Sequence, residues 1–361
     1  MTTKEVMRML PAWIEAPDGQ RYLNQLKRFV KGGIIVPAPN LNPVTTPAAG
    51  TDVGLSPVVT VQGMQDSACE IYALMGRHTP TDNADVIRRL QVEITDQRYL
   101  RRLMNRPVLA NHVFGTGQFP VYAYETIMLE AQQNLVFQFS NPSAAGASHF
   151  QFAMEHRKFI DSNVNAAFLT RWLTENRKRK ELLYPFWLTS NSAVSIPASG
   201  TRDVFFTTTQ DIMLVLFEVW CDFITTGVAG DTQEGLAFEF FNPKNGRPLQ
   251  NRPVTLNCCA GRSQTNPIAY KLPCPLMVEP ATNMLVKMTN LITDQPTEAF
   301  MTFFGVAYYQ GNGPWQYGDQ SEKLDRSVYT QVPQGNPTGW MDQRIAQQPV
   351  WPANQQANGQ G

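Results

Sequence analysis

An internal duplication constrains the fold of this chain more than any other feature of its sequence. Four segments of the first half recur in the same order in the second half, at a nearly constant offset. The matched pairs are residues 44–51 and 194–201, 90–108 and 236–254, 127–141 and 276–290, and 150–154 and 300–304. In the second pair Leu, Glu, Leu, Asn, Arg, Pro and Val are identical, against roughly one match expected from average residue usage. The chain is therefore predicted to contain two copies of one domain.

The two copies together indicate which segments are strands. Residues 82–105 on their own resemble a helix, with Asp82 or Asn83 as the capping residue and apolar residues at helical spacing. The equivalent residues 235–251 contain two prolines and an alternating Leu-x-Phe-x-Phe pattern, which is typical of a strand and excludes a helix. We therefore predict a strand over residues 87–95.

The third matched pair also alternates, with apolar residues on one side and Gln138 or Lys287 on the other. Each copy thus offers about six to eight short strands. The predicted fold class is mainly β: two tandem duplicated antiparallel β-sandwich (jelly-roll-like) domains, each preceded by a short helix, with an extended C-terminal tail. The predicted segments are an N-terminal arm (1–32) with a helix at 20–31 that Gly32-Gly33 ends, the first sandwich (33–160), a linker helix (161–183), the second sandwich (184–310) and the tail (311–361).

Charge and hydropathy exclude several classes of protein. The 30 Lys and Arg balance the 30 Asp and Glu, which argues against a nucleic-acid-binding field over the whole chain. The balance hides an asymmetry, because residues 1–183 carry 20 basic against 16 acidic side chains and residues 184–310 carry 7 against 10. The longest strongly apolar run, residues 212–217, is far shorter than the ~20 residues that span a bilayer. We therefore expect no membrane insertion.

Motifs that would indicate catalysis are absent from the sequence. There is no phosphate-binding loop, dinucleotide fingerprint or zinc-protease motif, and Gly115-Thr-Gly117 has the pattern of a turn. The histidines are scattered, and the recurring Glu93 and Glu239 are better explained by shared architecture, on an outward strand face or paired with Arg106 or Arg252, than by acid–base chemistry. The five cysteines are odd in number, lack zinc-ligand spacing and are expected to be reduced thiols. We predict no catalytic residues, no cofactor and no metal, and hence no enzyme.

Two groups of residues are candidates for contacts with partners. The Gln-, Gly-, Pro- and Asn-rich tail is too polar to form a core, yet it contains large aromatic residues that suit a strap over its own domain or a neighbouring subunit. These interface candidates are Trp315, Tyr317, Tyr329, Trp340 and Trp351. The linker carries a basic cluster that is either a solvated helix end or a contact for DNA or for an acidic neighbour. Its members are Arg171, Arg177, Lys178, Arg179 and Lys180.

The strand–turn–strand sequence pattern of each copy resembles that of virion structural proteins of tailed bacteriophages. The matching stretches are Gly-Arg-Pro-Leu-Gln-Asn-Arg-Pro-Val at 246–254, Phe-Gly-Thr-Gly-Gln at 114–118, Leu-Pro-Cys-Pro at 272–275 and Met-Thr-Asn-Leu at 288–291. The resemblance covers the two sandwiches, roughly two thirds of the chain. Copy one departs from it, because Gln97-Arg98 replaces the Asn-Gly turn and a Tyr-Ala-Tyr-Glu-Thr stretch is inserted after Pro120.

The resemblance implies a non-enzymatic virion component, located in the virion and assembled in the host cytoplasm. We expect it to form homo-oligomers, to contact other virion proteins, and to touch DNA non-specifically, if at all, through the basic linker. The first expectation is a collar or neck ring or a head-decoration layer. One alternative is a double jelly-roll major capsid protein, which would form pseudo-sixfold trimers. Another is a carbohydrate- or receptor-binding virion module, which needs an exposed aromatic platform.

Overall fold

A computed structural model describes most of the two predicted sandwiches. The described residues are 30–37, 43–49, 57–63, 67–129, 133–160, 182–190, 194–225, 235–243, 245–256, 260 and 269–309. Apart from Val30 and Lys31, all of them belong to one structural unit, Gly32–Asn312. Within these ranges, no helix is long and apolar enough to cross a membrane.

The first copy contains ten strands and two short helices among its described residues. They are β1 (Val30–Ile35), β2 (Val44–Thr46), β3 (Val58–Gln62), β4 (Ser67–His78), α1 (Ala84–Arg89), β5 (Gln91–Asp96), β6 (Arg101–Arg102), β7 (Val108–Leu109), α2 (Ala110–Val113), β8 (Val121–Leu129), β9 (Asn134–Ser140) and β10 (Ser148–Ile160). One sheet has the order β1-β10-β4-β8, with β2 also paired to β10. The other has the order β3-β9-β5-β6, with β7 also paired to β5.

The second copy repeats this arrangement. Its strands are β11 (Leu183–Thr189), β12 (Val194–Ile196), β13 (Thr201–Thr207), β14 (Ile212–Thr225), β15 (Leu236–Phe240), β16 (Val254–Thr255), β17 (Tyr270–Val278), β18 (Asn283–Asn290) and β19 (Thr297–Tyr309). One sheet runs β11-β19-β14-β17, with β12 paired to β19, and the other runs β13-β18-β15-β16.

Both copies are jelly rolls. In each copy, two antiparallel sheets place strands next to each other that are distant in sequence. The order of equivalent strands is the same in the two copies. Alternating burial along the strands explains the arrangement: β5 alternates half-buried and buried residues, and β9 directs Leu135, Phe137 and Phe139 into the sandwich. Phe114 and Phe152 fill the space between these rings. The prediction of two tandem antiparallel sandwiches is confirmed.

The strand registers define which residues of the two copies are equivalent. Val44 pairs with Phe150 in copy one, and Val194 pairs with Ala299 in copy two. Phe150 is therefore equivalent to Ala299, and the sequence match of residues 150–154 with 300–304 is wrong by one position. A shift of one residue exchanges the two faces of a strand, so this correction decides which side chains point out of the sandwich.

A β-bulge recurs at the same place in both copies. Opposite β10 the register of β4 skips Tyr72, and opposite β19 the register of β14 skips Phe217. Gly305 lies beside the second bulge, where a Cβ atom would stand 2.0 Å from the carbonyl oxygen of Val215. Since a bulge strengthens twist and redirects side chains, its recurrence indicates that both copies bend this sheet alike.

The strand predicted over residues 87–95 is partly wrong. Residues 84–89 form helix α1, which the Asn83 side chain caps by accepting a hydrogen bond from the Asp85 amide at 2.9 Å, and the strand begins only at Gln91. The local capping signal was therefore correct for the first half of this segment, and the comparison with copy two was correct for the second half.

The predicted helices also end differently from expectation. Val30–Ile35 form strand β1, so Gly32-Gly33 lies within a strand and does not end a helix. Leu183, expected as the last residue of the linker helix, is the first residue of strand β11. The rest of both predicted helices lies outside the described residues.

Two expected departures of copy one are also wrong. The register places Tyr99 and Leu100, rather than Gln97-Arg98, at the positions of Asn245 and Gly246. The Tyr-Ala-Tyr-Glu-Thr stretch is not an insertion, because β8 and β17 each have nine residues and pair in equivalent registers.

Candidate functional site

The residues predicted to contact partners cannot be placed. The aromatic tail residues Trp315, Tyr317, Tyr329, Trp340 and Trp351 lie outside the described residues. The basic linker residues Arg171, Arg177, Lys178, Arg179 and Lys180 also lie outside them. Both predictions stay predictions.

Within the part of the chain that the structure describes, no three His, Cys, Asp or Glu side chains are grouped to hold a metal ion. Gly115 forms a β-bridge with Met75 just before a turn over residues 116–119, and a Cβ atom on it would stand 1.9 Å from the carbonyl oxygen of Phe119. Cys69 and Cys221 are buried and Cys274 is exposed. Glu93 pairs with Arg102 at 3.0 Å rather than with Arg106, the partner expected from the sequence.

The feature that stands out is the seam between the two jelly rolls. We call the residues that copy one contributes the contact edge: Leu103, Met104, Asn105, His112 and Tyr124. The residues that copy two contributes form the receiving face, on the outer side of its β11-β19-β14-β17 sheet: Trp187, Phe217, Glu218, Trp220, Asp222, Thr302 and Phe304.

Backbone hydrogen bonds join the contact edge to strand β11. The Trp187 amide donates to the Leu103 carbonyl at 3.0 Å, and the Asn105 amide donates to the Trp187 carbonyl at 3.3 Å. The Asn105 side chain accepts from the Thr189 amide and donates to the Thr189 carbonyl, each at 2.9 Å. The edge of β11 is thereby capped by copy one, so its backbone groups are not left unpaired in the interior.

A buried polar chain crosses the seam. The Nε2 atom of His112 lies 3.0 Å from Oδ2 of Asp222, and because a carboxylate only accepts, Nε2 carries the hydrogen. The other ring nitrogen, Nδ1, lies 2.9 Å from the hydroxyl oxygen of Thr302, which in turn lies 3.2 Å from the hydroxyl oxygen of Thr189. Both ring nitrogens of a buried histidine are thus engaged, as burial of polar groups requires.

Aromatic packing surrounds this chain. The Tyr124 ring lies 4.6 Å from Phe217 and 5.4 Å from Phe304, and Trp187 stacks on Phe304 at 4.5 Å between centroids. The Tyr124 hydroxyl donates to Glu218 at 2.6 Å. Burial, with the added charge of Glu218, raises the pKa of Tyr124. Burial also raises the pKa of Glu218, although the Tyr124 hydrogen bond and the Lys271 charge oppose it.

Ion pairs and cation–π contacts close the rim of the seam. Arg89 of copy one contacts Asp85 at 2.8 Å and Glu298 of copy two at 2.7 Å. The Arg101 guanidinium lies 3.9 Å from the centroid of the Tyr184 ring. Arg89 is about one fifth exposed, so solvent weakens its pairs, and the rim fixes orientation more than it stabilises.

The seam makes the two jelly rolls a single building block. One continuous cluster of buried apolar residues extends through both copies and includes Met104, Trp187 and Phe304. Each fully buried large apolar side chain stabilises by roughly 1.5–3 kcal/mol, so exposing the apolar residues of the seam by separating the copies would be costly. In its apolar centre and its buried His112–Asp222 and Tyr124–Glu218 hydrogen bonds, the seam resembles a permanent interface.

Sequence reasoning did not single out His112 or Asp222. His112 is one of the scattered histidines of the sequence, and Asp222 belongs to no motif. The only signal in the sequence is a difference between the copies, because the register makes Asp222 equivalent to Arg77 and Thr302 equivalent to Ala153.

Comparisons with known proteins give weak structural likenesses. No protein-family model and no curated protein matches the sequence. The chain is similar to a structure of Sulfolobus Turreted Icosahedral Virus, with 10% identity, a TM-score of 0.40, and coverage of 88% of this chain and 99% of that chain. It is also similar to the major capsid protein P2 from bacteriophage PM2, with 9% identity, a TM-score of 0.35, and coverage of 79% and 100%.

A plant protein also appears among the similar structures. The ANX2 ectodomain from Arabidopsis thaliana has 11% identity and a TM-score of 0.21, with coverage of 78% of this chain and 90% of that chain. Likenesses this weak do not assign a function, and the jelly-roll assignment rests on the strand order of the chain itself.

Proposed function

We propose that this chain is a non-enzymatic structural subunit of a virion shell, of the double jelly-roll type. The observation that carries the proposal is the pair of jelly rolls with one topology, held by a buried seam into a single block. Jelly rolls recur in viral capsids, because flat sheet faces present large, regular surfaces to neighbours.

A block with two equivalent domains suits a closed lattice. Three copies around one axis place six similar domains in a ring, and a ring with a hexagonal outline tiles a surface. Closed point-group symmetry is the usual outcome when a chain self-associates. In this proposal the main partner is a second copy of the chain, other virion proteins are further partners, and the location is the virion. Contact between DNA and the basic linker stays a prediction.

A collar or neck ring, or a head-decoration layer, is the second candidate. The same double block supports it, since a rigid subunit also builds rings. Rotational symmetry separates the two candidates, because a ring position is expected to give a larger closed ring rather than a trimer. A receptor-binding module needs an exposed aromatic platform, and the tail aromatics that would form it lie outside the described residues.

The deciding experiment is to measure the mass and symmetry of the purified full-length protein. Light scattering is expected to give three times the mass of the 361-residue chain, and negative-stain averaging a threefold particle with a hexagonal outline. A larger closed ring would support the collar or neck position instead. A lasting monomer, or one that turns over a substrate, would contradict the proposal.

A further inference from the structure

We infer that the seam within the chain is repeated between chains: the contact edge of copy two docks on the receiving face of copy one in a second subunit. The inference rests on the proposed self-assembly and names the two surfaces that carry it. Both surfaces follow from the duplication, because each half of the seam has an equivalent in the other copy.

The seam is a head-to-tail contact. Copy one contributes its edge and copy two contributes its sheet face, so the two surfaces differ. Because the two surfaces differ, the seam uses one contact edge and one receiving face of the chain. The receiving face of copy one and the contact edge of copy two take no part in it. Repetition of such a contact builds a closed ring when its rotation closes, and a filament when it does not.

The strand registers identify the unused receiving face, which lies on copy one. Tyr72 is equivalent to Phe217, since both are the bulged residues of their sheets. By the same registers the equivalents of Trp220, Asp222, Thr302 and Phe304 are, in order, Met75, Arg77, Ala153 and Glu155.

Burial differs sharply between the two faces. Apart from the half-buried Glu218, the residues of the receiving face on copy two are buried against copy one, with Phe217, Phe304 and Thr302 at 1% exposure or less. On copy one, Arg77 is exposed and Tyr72, Met75, Ala153 and Glu155 are half-buried. The neighbouring Tyr122, which is equivalent to Lys271, is 57% exposed.

The unused contact edge lies on copy two. Leu103 of copy one is fully buried in the seam, whereas its equivalent Leu249 is 51% exposed. Asn251, the equivalent of Asn105, is exposed, and so is Pro273, the equivalent of Tyr124. The structure therefore leaves accessible the two surfaces that a repeated contact needs.

The chemistry of the two faces fits their different tasks. A seam inside one chain is permanent and is apolar, with Trp, Phe and a buried His–Asp pair. A surface that must stay in water before assembly carries charged and amphipathic side chains, such as Arg77, Glu155 and Tyr122. Aromatic and Arg side chains are the residue types enriched where subunits bind each other.

Cysteine cross-linking tests the contact directly on the full-length protein. In the seam Tyr124 packs on Phe217, so the equivalent pair between subunits is Pro273 and Tyr72. The test variant is Pro273→Cys with Tyr72→Cys and Cys274→Ser, treated with a short bismaleimide. The control pair is Pro273→Cys with Val58→Cys, because Val58 is 51% exposed on the other sheet of copy one. Each single variant measures cross-linking through native thiols.

We expect the test variant to give a ladder in denaturing gels that ends at the covalent trimer, and the control pair to stay at the level of the single variants. An assembled oligomer with no cross-linking above the controls would overturn the inference and leave the proposed shell function standing. A cross-linked ladder that ends at another ring size would support the contact and contradict the trimer. A monomer would contradict both.

A charge substitution gives a second, independent measurement. Leu249→Asp places a carboxylate in the centre of the proposed contact. Leu100→Asp is the control, because it places a carboxylate outside the contact, at an 88%-exposed position that is equivalent to Gly246. We expect Leu249→Asp to weaken self-association at least tenfold in sedimentation relative to Leu100→Asp, with both variants folded by circular dichroism. Equal self-association of the two variants would contradict the inference.

Discussion

His112 and Asp222 form a hydrogen bond of 3.0 Å across the seam between the two jelly rolls. Their side chains are 0% and 1% exposed, and the His112 ring stacks on Trp220 with 6.0 Å between centroids. His112 lies in helix α2 of copy one. Asp222 lies in β14, an interior strand of the β11-β19-β14-β17 sheet of copy two. The two copies are therefore joined by a specific polar contact as well as by apolar packing.

Removal of one partner of this pair is expected to destabilise the whole block. His112→Ala leaves Asp222 buried without its histidine, and breaking a buried pair in this way costs about 3 kcal/mol or more. In a double-mutant cycle with Asp222→Ala, we expect the second substitution to cost much less than the first, with a coupling of about 1–3 kcal/mol. Denaturant unfolding of the four proteins measures both quantities.

A matched control is available in copy one. His149 lies 2.9 Å from Asp82, a similar His–Asp distance, but its side chain is 41% exposed. Asp82 is buried but keeps its hydrogen bonds from Thr79 and from the His149 backbone amide, so His149→Ala should cost clearly less than His112→Ala. Additive losses at His112 and Asp222 would contradict a direct interaction across the seam.

Gly305 is expected to tolerate no side chain. A Cβ atom there would stand 2.0 Å from the carbonyl oxygen of Val215, beside the bulge at Phe217, and backbone atoms cannot move aside as a side chain can. We expect Gly305→Ala to lower the free energy of unfolding by about 3 kcal/mol. Gly117→Ala is the control, since no atom lies within 4 Å of the added Cβ, and a similar loss there would contradict the steric explanation.

Much of the fold could be predicted because the duplication supplies each strand twice. Residues 235–251 with their two prolines excluded a long helix that residues 82–105 alone would have suggested. The same comparison concealed helix α1, because it assumed that the two copies agree everywhere. Local capping by Asn83 decides the structure of residues 84–89. A comparison that assumes the two copies to be alike cannot detect a helix that only one of them contains.

The seam could not be predicted for a related reason. Positions that match between the copies report the shared jelly roll, whereas a head-to-tail contact depends on positions that differ, such as Asp222 and Arg77. Such differences can be recognised as parts of a contact only when the strand register shows which residues are equivalent and which face of the sheet they occupy. The one-residue error in matching 150–154 with 300–304 would have matched Thr302 to Phe152 inside the sandwich, whereas the true equivalent of Phe152 is the core residue Met301.

Leu100→Gly is expected to stabilise the protein. Leu100 has φ of 48° and is 88% exposed, and its equivalent Gly246 has φ of 63°. Relief of left-handed strain at a non-glycine residue gains about 1–2 kcal/mol, and the entropy of glycine in the unfolded chain offsets roughly 0.5–1 kcal/mol of that gain. Denaturant unfolding should show a net increase. Leu291→Gly, at a 48%-exposed position without positive φ, should lower stability, and the same sign for both would contradict the explanation.

Truncation of the tail is expected to separate folding from assembly. A chain that ends after residue 311 lacks all five aromatic residues of the proposed strap, and we expect it to lose oligomerisation while both jelly rolls stay folded. A chain that ends after residue 352 keeps these residues and should assemble normally. Circular dichroism measures folding and light scattering measures assembly. Intact assembly of the shorter chain would show that the tail is not a strap.

The stability of copy one is expected to fall below neutral pH because of His78. Burial lowers the pKa of His78 from its ordinary value of 6.5, although the Asp82 hydrogen bond and charge oppose the shift. A histidine with a lowered pKa in the folded state takes up its proton more readily when unfolded. Its contribution to stability is therefore full above about pH 6.5 and is lost as the pH falls through the folded pKa. His156, whose pKa burial also lowers, adds to the loss in the same direction.

The register suggests the substitution that tests this linkage. His78 is equivalent to Phe223, so His78→Phe places in copy one the residue that copy two already uses at this position. The ring of His78 already packs on Phe150 at 4.9 Å, and Asp82 keeps its hydrogen bonds from His149 and Thr79. We expect denaturant unfolding at a series of pH values from 8 to 5 to show a smaller loss of stability in the variant than in the wild type. Parallel pH profiles would mean that His78 does not titrate on unfolding.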